Sequence, residues 1–307
     1  MINGVLNVYK EKGFTSHDVV ARLRGIVGQK KIGHTGTLDP DATGVLPVCL
    51  GKATKLCDML TDKNKTYETV MLLGKTTDTQ DVSGTVISEK TVGVMDSSDI
   101  EQCILSFIGD YMQIPPMYSA LKVNGKKLYE LAREGIEIER KARPVSILNI
   151  KIKEINIPRI SMEVTCSKGT YIRTLCHDIG EKLGCGACME ELTRTKVSRF
   201  DIKESLTLSQ IEEKKMSGNL EDIIIPVDEM FSEYEAVFLK EAYVPYAYNG
   251  NTFLPKHIEN RIELKDGKLV RVYNNHNEFI AIYKFVEDNY LFRIEKMFFE
   301  RKNDAVH

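Results

Sequence analysis

The residues with the clearest potential for chemistry lie between positions 33 and 51, in the run GHTGTLDPDATGVLPVCLG. This run holds four glycines and two prolines, so it is too irregular for a helix. Pro40 pushes Asp39 towards an extended backbone. We expect a stiff, folded-back loop that presents Asp39 and His34, followed by a buried strand at 45–50. Such loops build sites, but an Asp before Pro also occurs in plain turns, so both roles stay open for Asp39.

The same loop carries no motif for binding nucleotide phosphates. GxxxxGK[ST] is missing from it, and no GxGxxG follows a predicted strand. The chain has 307 residues, of which 42% are hydrophobic and 28% are charged, as is typical of a globular protein with a sizeable core. Because the formal net charge is −2, any site for nucleic acid must be a local basic patch.

Nothing in the sequence indicates a membrane protein or a disulfide framework. No apolar run approaches the roughly 20 residues that span a bilayer, and the N-terminal residues lack the features of a secretory leader. The seven cysteines are an odd number spread along the chain, which fits reduced thiols. Cys185 and Cys188 form one CxxC motif, but a zinc site would need a second pair. We therefore expect a cytoplasmic protein without a bound metal.

Local patterns predict the elements that position the loop. Ser16 is expected to be the N-cap of a helix before it. The alternation in 65–73 predicts a strand that places Tyr67 on one face. Residues 85–87 are expected to form a further strand of the same sheet. Ser98 and Glu101 are expected to form a capping box for a helix.

Further elements are expected in the second half of the chain. Residues 145–155 and 160–167 read as strands, and KGTYIR turns into a helix. Tyr171 and Arg173 lie in the first turn of that helix, away from its apolar stripe, where such side chains are usually exposed. Leu192 begins a strand with a basic edge. From about residue 236 onward, short strands and turns predict a small β-rich module.

Residues 122–143 are rich in charges of both signs. The basic members are Lys122, Lys126, Lys127, Arg133, Arg140, Lys141 and Arg143. Four glutamates stand among them, so a solvated mixed-charge helix is one interpretation. The other is a basic arm that binds a polyanion, and charge alone leaves both open.

Five stretches in order resemble the bacterial tRNA pseudouridine synthase B family. They are NGVLNVYKEKGFTSHDVV, KIGHTGTLDPDATGVLPVCLGKATK, KTYETVMLLGKTTDTQDVSG, IPPMYSALKVNGKKLYELAREGIEIERKARPV and CSKGTYIRTLCHDIGEKLGCGA. They cover most of residues 3–200. The C-terminal β-rich segment resembles the PUA-type RNA-binding module of such enzymes, with a weaker signal.

The resemblance implies an α+β fold. It consists of a mixed, mainly antiparallel sheet with flanking helices, and of a small C-terminal β-rich PUA-like domain. Residues 1–230 would form the catalytic domain, with 122–143 as its RNA-gripping arm, and residues 236–302 the PUA-like domain. The implied activity is the isomerisation of uridine 55 to pseudouridine in the T arm of tRNA, without a cofactor. A monomer without an obligate protein partner is expected.

The resemblance also assigns the site. Asp39 would be the catalytic aspartate, Arg173 would pair with it, and Tyr67 would pack under the target base and assist proton transfer. His34, Tyr171 and Leu192, together with Tyr67, would bind the flipped nucleotide. The reaction needs an ionised carboxylate, and a nearby arginine favours that form.

Two other functions remain as alternatives at this stage. One is an RNA chaperone of the same fold that folds tRNA without chemistry, against which the intact Asp39, Tyr67 and Arg173 argue. The other is the guide-RNA-dependent relative, which shares the TLDP loop but works in a multi-protein particle. The long arm and the short C-terminus favour the stand-alone bacterial kind.

Overall fold

A mixed sheet of nine strands forms the centre of the larger part of the chain. The computed structural model describes residues 1–123 and 125–300. The strands in these residues are β1 (Gly4–Lys10), β2 (Ile32–His34), β3 (Thr43–Leu50), β4 (Lys65–Leu73), β5 (Lys75–Thr77), β6 (Val86–Glu89), β7 (Gly109–Gln113), β8 (Lys122–Val123), β9 (Lys126–Lys127), β10 (Arg143–Asn156), β11 (Arg159–Cys166), β12 (Ala187–Val197), β13 (Phe200–Asp201), β14 (Glu235–Phe238), β15 (Leu269–Tyr273), β16 (Phe279–Val286) and β17 (Leu291–Met297). The α-helices are α1 (Ser16–Val27), α2 (Cys57–Thr61), α3 (Ser97–Leu105), α4 (Leu128–Arg133), α5 (Ile172–Lys182), α6 (Leu208–Met216) and α7 (Val244–Tyr248).

The main sheet has the strand order β1-β3-β12-β4-β11-β10-β7, with β2 beside β3 and β13 beside β12. Its neighbouring strands are antiparallel except β3 and β12, which run parallel. The prediction of a mixed, mainly antiparallel sheet is therefore confirmed. The parallel pair brings together Thr43 and Thr193, whose hydroxyl oxygens lie 2.9 Å apart. It joins the strand after the Asp39 loop to the strand that carries Leu192.

Two hydrophobic clusters lie against the main sheet. The alternation along β4 buries its odd-numbered residues, from Lys65 to Leu73, and so Tyr67 lies on one face with Thr69 and Met71, as the sequence predicted. Helices α3 and α5 contribute to the same cluster as Tyr67. Helices α1 and α6 pack with β1 and β3 in the second cluster. The loop with Asp39 connects the two, because Leu38 belongs to the first cluster and Leu46 to the second.

Three local predictions were wrong. Thr15, and not Ser16, is the N-cap of α1, because its side chain accepts from the amide of Asp18. Asp96 caps α3, which starts one residue before the predicted capping box. Residues 85–87 do not resume the main sheet, because β6 pairs with β5 in a separate two-stranded sheet.

The C-terminal part is a β-rich unit that packs on the main body. Strands β14 to β17 form a four-stranded sheet in that order. Ile282 and Phe298 of this unit share a buried cluster with Val5, Val45 and Phe231 of the main body. The backbone carbonyl of Met297 also accepts a hydrogen bond of 3.1 Å from Lys55 Nζ.

Among residues 1–123 and 125–300, none of the helices is long and apolar enough to cross a membrane.

Candidate active site

The loop between β2 and β3 is fixed by side chains that bind its carbonyl oxygens. Lys10 Nζ, at the end of β1, donates to the carbonyls of Pro40 at 3.0 Å and Ala42 at 2.5 Å. Ser16 Oγ accepts from the amide of Leu38 at 2.9 Å. Burial lowers the pKa of Lys10 to about 8, and the nearby carboxylate of Asp39 opposes this shift. The loop is therefore rigid because the side chains of two other elements satisfy its polar backbone.

Arg194 fixes the other end of the same loop. Its Nε donates to the carbonyl of Val45 at 2.8 Å, and its Nη2 donates to the carbonyl of Gly36 at 3.2 Å. The predicted basic edge of this strand is wrong for Arg194, which is fully buried. Gly44, opposite Arg194 in the parallel pair, has no room for a side chain, since a Cβ there would lie 2.2 Å from the carbonyl oxygen of Arg194.

Asp39 and Arg173 form an ion pair at this loop. Arg173 Nε lies 3.0 Å from Asp39 Oδ2, and Arg173 Nη2 donates to Asp39 Oδ1 at 3.4 Å. The Arg173 side chain is only 5% exposed, whereas that of Asp39 is 40% exposed. Arg173 departs from the exposed position that is usual for an arginine in a first helical turn, because the first turn of α5 points this residue towards the loops at the sheet. The result is an accessible carboxylate in front of a buried cation.

The remaining donors of Arg173 are also occupied. Its Nη1 donates to the carbonyl of Thr79 at 3.1 Å and lies 3.6 Å from Asp81 Oδ2. Its Nη2 donates to the carbonyl of Tyr118 at 2.9 Å, at the root of the 122–143 arm. These contacts hold the guanidinium in one orientation.

Burial and the positive charge of Arg173 shift the pKa of the Asp39 carboxyl in opposite directions. Burial raises the pKa of Asp39 above its ordinary value, and the guanidinium of Arg173 opposes that rise. The charge of Asp81 adds to the rise in this pKa. A half-buried carboxylate whose ionised form is favoured by an arginine can act as a base or a nucleophile.

Tyr67 lies beside this pair on β4. It stands opposite Val164 of β11 and Arg194 of β12, and it shares the cluster that contains Leu38. Burial raises the pKa of Tyr67, so its phenol is neutral. A neutral, buried aromatic ring beside a carboxylate can support a flat base.

The other three predicted residues lie around the same loop. Leu192, on β12, packs against the cluster of Leu38 and Tyr67. Tyr171 immediately precedes α5, two residues before Arg173. His34 ends β2 and makes an edge-to-face contact with His17, with ring centroids 5.5 Å apart. Burial lowers the pKa of His34, so its imidazole is neutral at pH 7.

Gln113 fixes the backbone of Tyr171. Its Oε1 accepts from the amide of Tyr171 at 2.8 Å, and its Nε2 donates to the carbonyl of Tyr171 at 3.0 Å. Together with Lys10, Asp81 and Arg194, this glutamine is a site residue that the sequence prediction missed. For Lys10, the available signal was a charged side chain at the end of an apolar strand, since such residues are buried only with partners. No comparable pattern marks Asp81, Gln113 or Arg194.

In the 122–143 segment, some of the charged side chains are paired with other side chains of the same segment. Strands β8 and β9 form a two-stranded ribbon that leads into α4. Lys126 Nζ lies 3.5 Å from Glu134 Oε2, and the Lys126 side chain is exposed. The guanidinium of Arg133 lies over the ring of Tyr129. Asn124, within the predicted arm, lies outside the described residues.

The CxxC motif belongs to the core. Cys185 and Cys188 are buried free thiols. In the part of the chain that the structure describes, there is no group of three His, Cys, Asp or Glu side chains that could hold a metal ion.

Similar solved structures share this fold. The chain resembles a protein in the "Structure of H/ACA RNP bound to a substrate RNA containing 2'-deoxyuridine" with a TM-score of 0.71 and 27% identity, over 97% of this chain and 86% of that one. It resembles a protein in a Cbf5-Nop10-Gar1 complex with a TM-score of 0.71 and 29% identity, over 97% and 85% of the two chains. The fold is the α+β fold of pseudouridine synthases, with a small C-terminal β-rich, PUA-like domain.

The sequence comparisons identify the family more specifically than the fold does. Residues 24–172 match the model of the TruB family pseudouridylate synthase (N terminal domain), and residues 173–232 match that of the tRNA pseudouridylate synthase B C-terminal domain. A tRNA pseudouridine synthase B of Lachnoclostridium phytofermentans is 49% identical over 97% of this chain and 100% of its own length. One of Clostridium tetani is 45% identical over 92% and 95% of the two chains. The chain therefore belongs to the TruB family of pseudouridylate synthases, which confirms the resemblance predicted from the sequence.

Proposed function

We propose that this protein converts uridine 55 to pseudouridine in the T loop of tRNA, as a stand-alone enzyme with Asp39 as its catalytic residue. The main observation behind this proposal is the accessible carboxylate of Asp39, which lies 3.0 Å from the buried guanidinium of Arg173. The names of its similar relatives, tRNA pseudouridine synthase B, support the tRNA substrate. The specific position and the residue roles are part of the proposal.

The reaction replaces the bond between uracil N1 and the ribose by a bond between uracil C5 and the ribose. The N1–C1′ bond breaks, the uracil turns within the site, and C5 bonds to C1′. The C5 proton leaves and N1 takes up a proton, so the product has the same atoms as the substrate. Redox balance is unchanged, so the step needs no electron acceptor. The Asp39 carboxylate can attack C1′, take the C2′ proton to leave a glycal, or add to C6 of the base. Each route requires it to be ionised, which Arg173 favours.

The other residues hold the base. A uridine in an RNA loop must leave its stack to reach Asp39, because the reacting atoms of a stacked base are covered by its neighbours. Tyr67 and Leu192 provide the apolar surfaces for the uracil, and Tyr171 covers it from the start of α5. His34 occupies the neighbouring part of the substrate surface. A neutral Tyr67 phenol can take part in proton transfer at C5.

Binding of the RNA depends on the basic arm. Residues 122–143 would contact phosphates of the T arm and position the enzyme without reading sequence. We also propose that residues 1–230 form the catalytic domain and residues 236–302 an RNA-binding domain, of which positions 301 and 302 lie outside the described residues. A monomeric, cytoplasmic enzyme without an obligate protein partner completes the proposal.

The guide-RNA-dependent relative is the main alternative. The similar solved structures include a Cbf5-Nop10-Gar1 complex at 29% identity. Relatives named tRNA pseudouridine synthase B reach 49% identity over the full length of the relative. The higher identity over full length supports the stand-alone enzyme.

The deciding experiment is pseudouridine mapping on an unmodified tRNA transcript incubated with the purified protein alone. We expect conversion at the T-loop uridine, and no conversion with Asp39→Ala or with a transcript that carries cytidine at that position. Tight tRNA binding without conversion by the wild-type protein would contradict the proposal and favour the chaperone or the guide-dependent alternative.

A further inference from the structure

The loop between β5 and β6 approaches Arg173 with an unusual backbone. Gln80 has a φ of 63°, a left-handed conformation that glutamine rarely adopts and that costs free energy. The residues on both sides of it contact the same nitrogen of Arg173. The carbonyl of Thr79 accepts from Arg173 Nη1 at 3.1 Å, and Asp81 Oδ2 lies 3.6 Å from that atom. The left-handed turn thus presents acceptors from the residues on both sides of Gln80 to one guanidinium.

The Gln80 side chain is bonded to the residue that follows Arg173. Its Oε1 accepts from Thr174 Oγ1 at 2.7 Å. Thr174 is buried on α5, and its hydroxyl is therefore in a low-dielectric setting where a hydrogen bond is strong. This side-chain hydrogen bond therefore connects the turn at Thr79–Asp81 to helix α5, which carries Arg173.

The backbone around Gln80 is fixed as well. The carbonyl of Gln80 accepts from the amide of Met189 at 3.0 Å, and the amide of Val82 donates to the carbonyl of Met189 at 2.9 Å. These bonds hold the loop on strand β12. Thr79 Oγ1 also donates to Asp81 Oδ1 at 2.8 Å within the loop. The side-chain contacts that connect the loop to α5 are those of Arg173 and the Gln80–Thr174 bond.

We propose that Gln80 and Thr174 are positioning residues for Arg173, and through it for Asp39. The inference rests on the proposed roles of Asp39 and Arg173. Without the Gln80–Thr174 bond, the Thr79 carbonyl and the Asp81 carboxylate drift from Arg173, and the guanidinium loses the acceptors that align its Nε with Asp39. The strain at Gln80 is retained because the bond to Thr174 compensates for it.

A weaker contact between Arg173 and Asp39 has a measurable electrostatic consequence. Burial raises the pKa of Asp39; Arg173 is the main group that opposes this rise and Lys10 is a smaller one, whereas the charges of Asp81 and Asp41 add to it. If the guanidinium moves away, that pKa rises further, and the acid side of the pH–rate profile moves to higher pH. A residue that only anchors the loop changes the melting temperature but leaves this side of the profile in place.

The test uses full-length Thr174→Val, Gln80→Met, their double variant and Gln80→Gly. Valine keeps the shape of threonine, methionine keeps the length of glutamine without its acceptor, and glycine keeps the left-handed turn without a side chain. Thr54→Val is the matched control, since Thr54 Oγ1 donates to the carbonyl of Gly51 at 2.8 Å, outside the Arg173 contacts. The readouts are kcat, KM and the pH profile on a tRNA transcript, with the melting temperature of each variant.

We expect each single variant to lower kcat about five- to thirtyfold, the usual effect of one buried hydrogen bond, with KM changed less than about threefold. The double variant should be no worse than the poorer single variant, because both remove the same bond. The acid side of each profile should move to higher pH, and Thr54→Val should behave as wild type.

Two outcomes would overturn the inference. One is a wild-type kcat and pH profile in Thr174→Val and Gln80→Met. The other is a lower kcat with an unmoved acid side and a lower melting temperature, which would make the pair a simple loop anchor. A wild-type protein that fails to convert tRNA would instead overturn the proposed function, so the two failures are distinguishable.

Discussion

Arg173 Nε lies 3.0 Å from Asp39 Oδ2, although the two residues are 134 positions apart in the chain. The arginine is buried and makes four further polar contacts, whereas the aspartate is accessible. This asymmetry fixes the cation and leaves the carboxylate free to meet a substrate. The predictions below follow from that arrangement and from the elements that hold it.

Replacing Asp39 by asparagine should abolish turnover and leave tRNA binding within about tenfold of wild type, because the chemistry needs the carboxylate and affinity comes from phosphate contacts. Since burial raises the pKa of Asp39, the fold disfavours its charge, and we expect the melting temperature to stay or to rise. Single-turnover conversion and filter binding measure the two quantities. An equal loss of binding and turnover would make Asp39 a structural residue.

The pH dependence of the reaction should report the environment of Asp39. Its pKa is raised above the ordinary value of 3.8, so the active, ionised form is lost as pH falls through a value higher than 3.8. Asp81→Asn removes a charge that raises this pKa, and the acid side of the kcat/KM profile should therefore move to lower pH. The profile of Asp78→Asn, in the same loop, serves as the control. A shift to higher pH in Asp81→Asn would show that loss of Arg173 alignment dominates.

Arg194→Met should destabilise the protein. It leaves the buried carbonyl of Val45 and the part-buried carbonyl of Gly36 without their donor, which costs about 1–3 kcal/mol of the free energy of unfolding, and it loosens the Asp39 loop. Arg159→Met is the matched control, because Arg159 is an exposed residue whose ion pair with Glu190 is screened by water and contributes little to the stability of the fold. Urea denaturation measures both, and equal losses would argue against the role of Arg194.

The basic arm can be tested by the salt dependence of binding. Lys126→Ala and Arg133→Ala should each weaken tRNA binding and reduce the slope of log K against log salt by about 0.7–0.9, the effect of one lost phosphate contact. Lys214→Ala, on α6, provides a control lysine outside the arm. An unchanged slope in both arm variants would favour a solvated mixed-charge helix.

The sequence predicted much of the local structure. The alternation in 65–73 placed Tyr67 on the buried face of β4, and the glycines and prolines of 33–51 indicated the irregular loop before β3. It was less successful at helix starts, where Thr15 and Asp96 are the N-caps. Several nearby residues can cap a helix, and the tertiary contacts select one: Ser16 Oγ is engaged by Leu38 of the Asp39 loop.

By itself, then, the sequence determined the family, the types of the site residues and the local conformations around them, because these depend on neighbours in the chain. Only the tertiary structure decided that Arg173 is buried, and that Lys10 and Arg194 bind the carbonyls of the Asp39 loop. Those facts depend on the parallel pairing of β3 with β12 and on the packing of α5 beside the loop. A local pattern cannot distinguish a charged side chain on the surface from one buried among partners, since the partners are distant in the chain: 30 and 32 positions for Lys10, 134 for the Arg173–Asp39 pair, and 149 and 158 for Arg194.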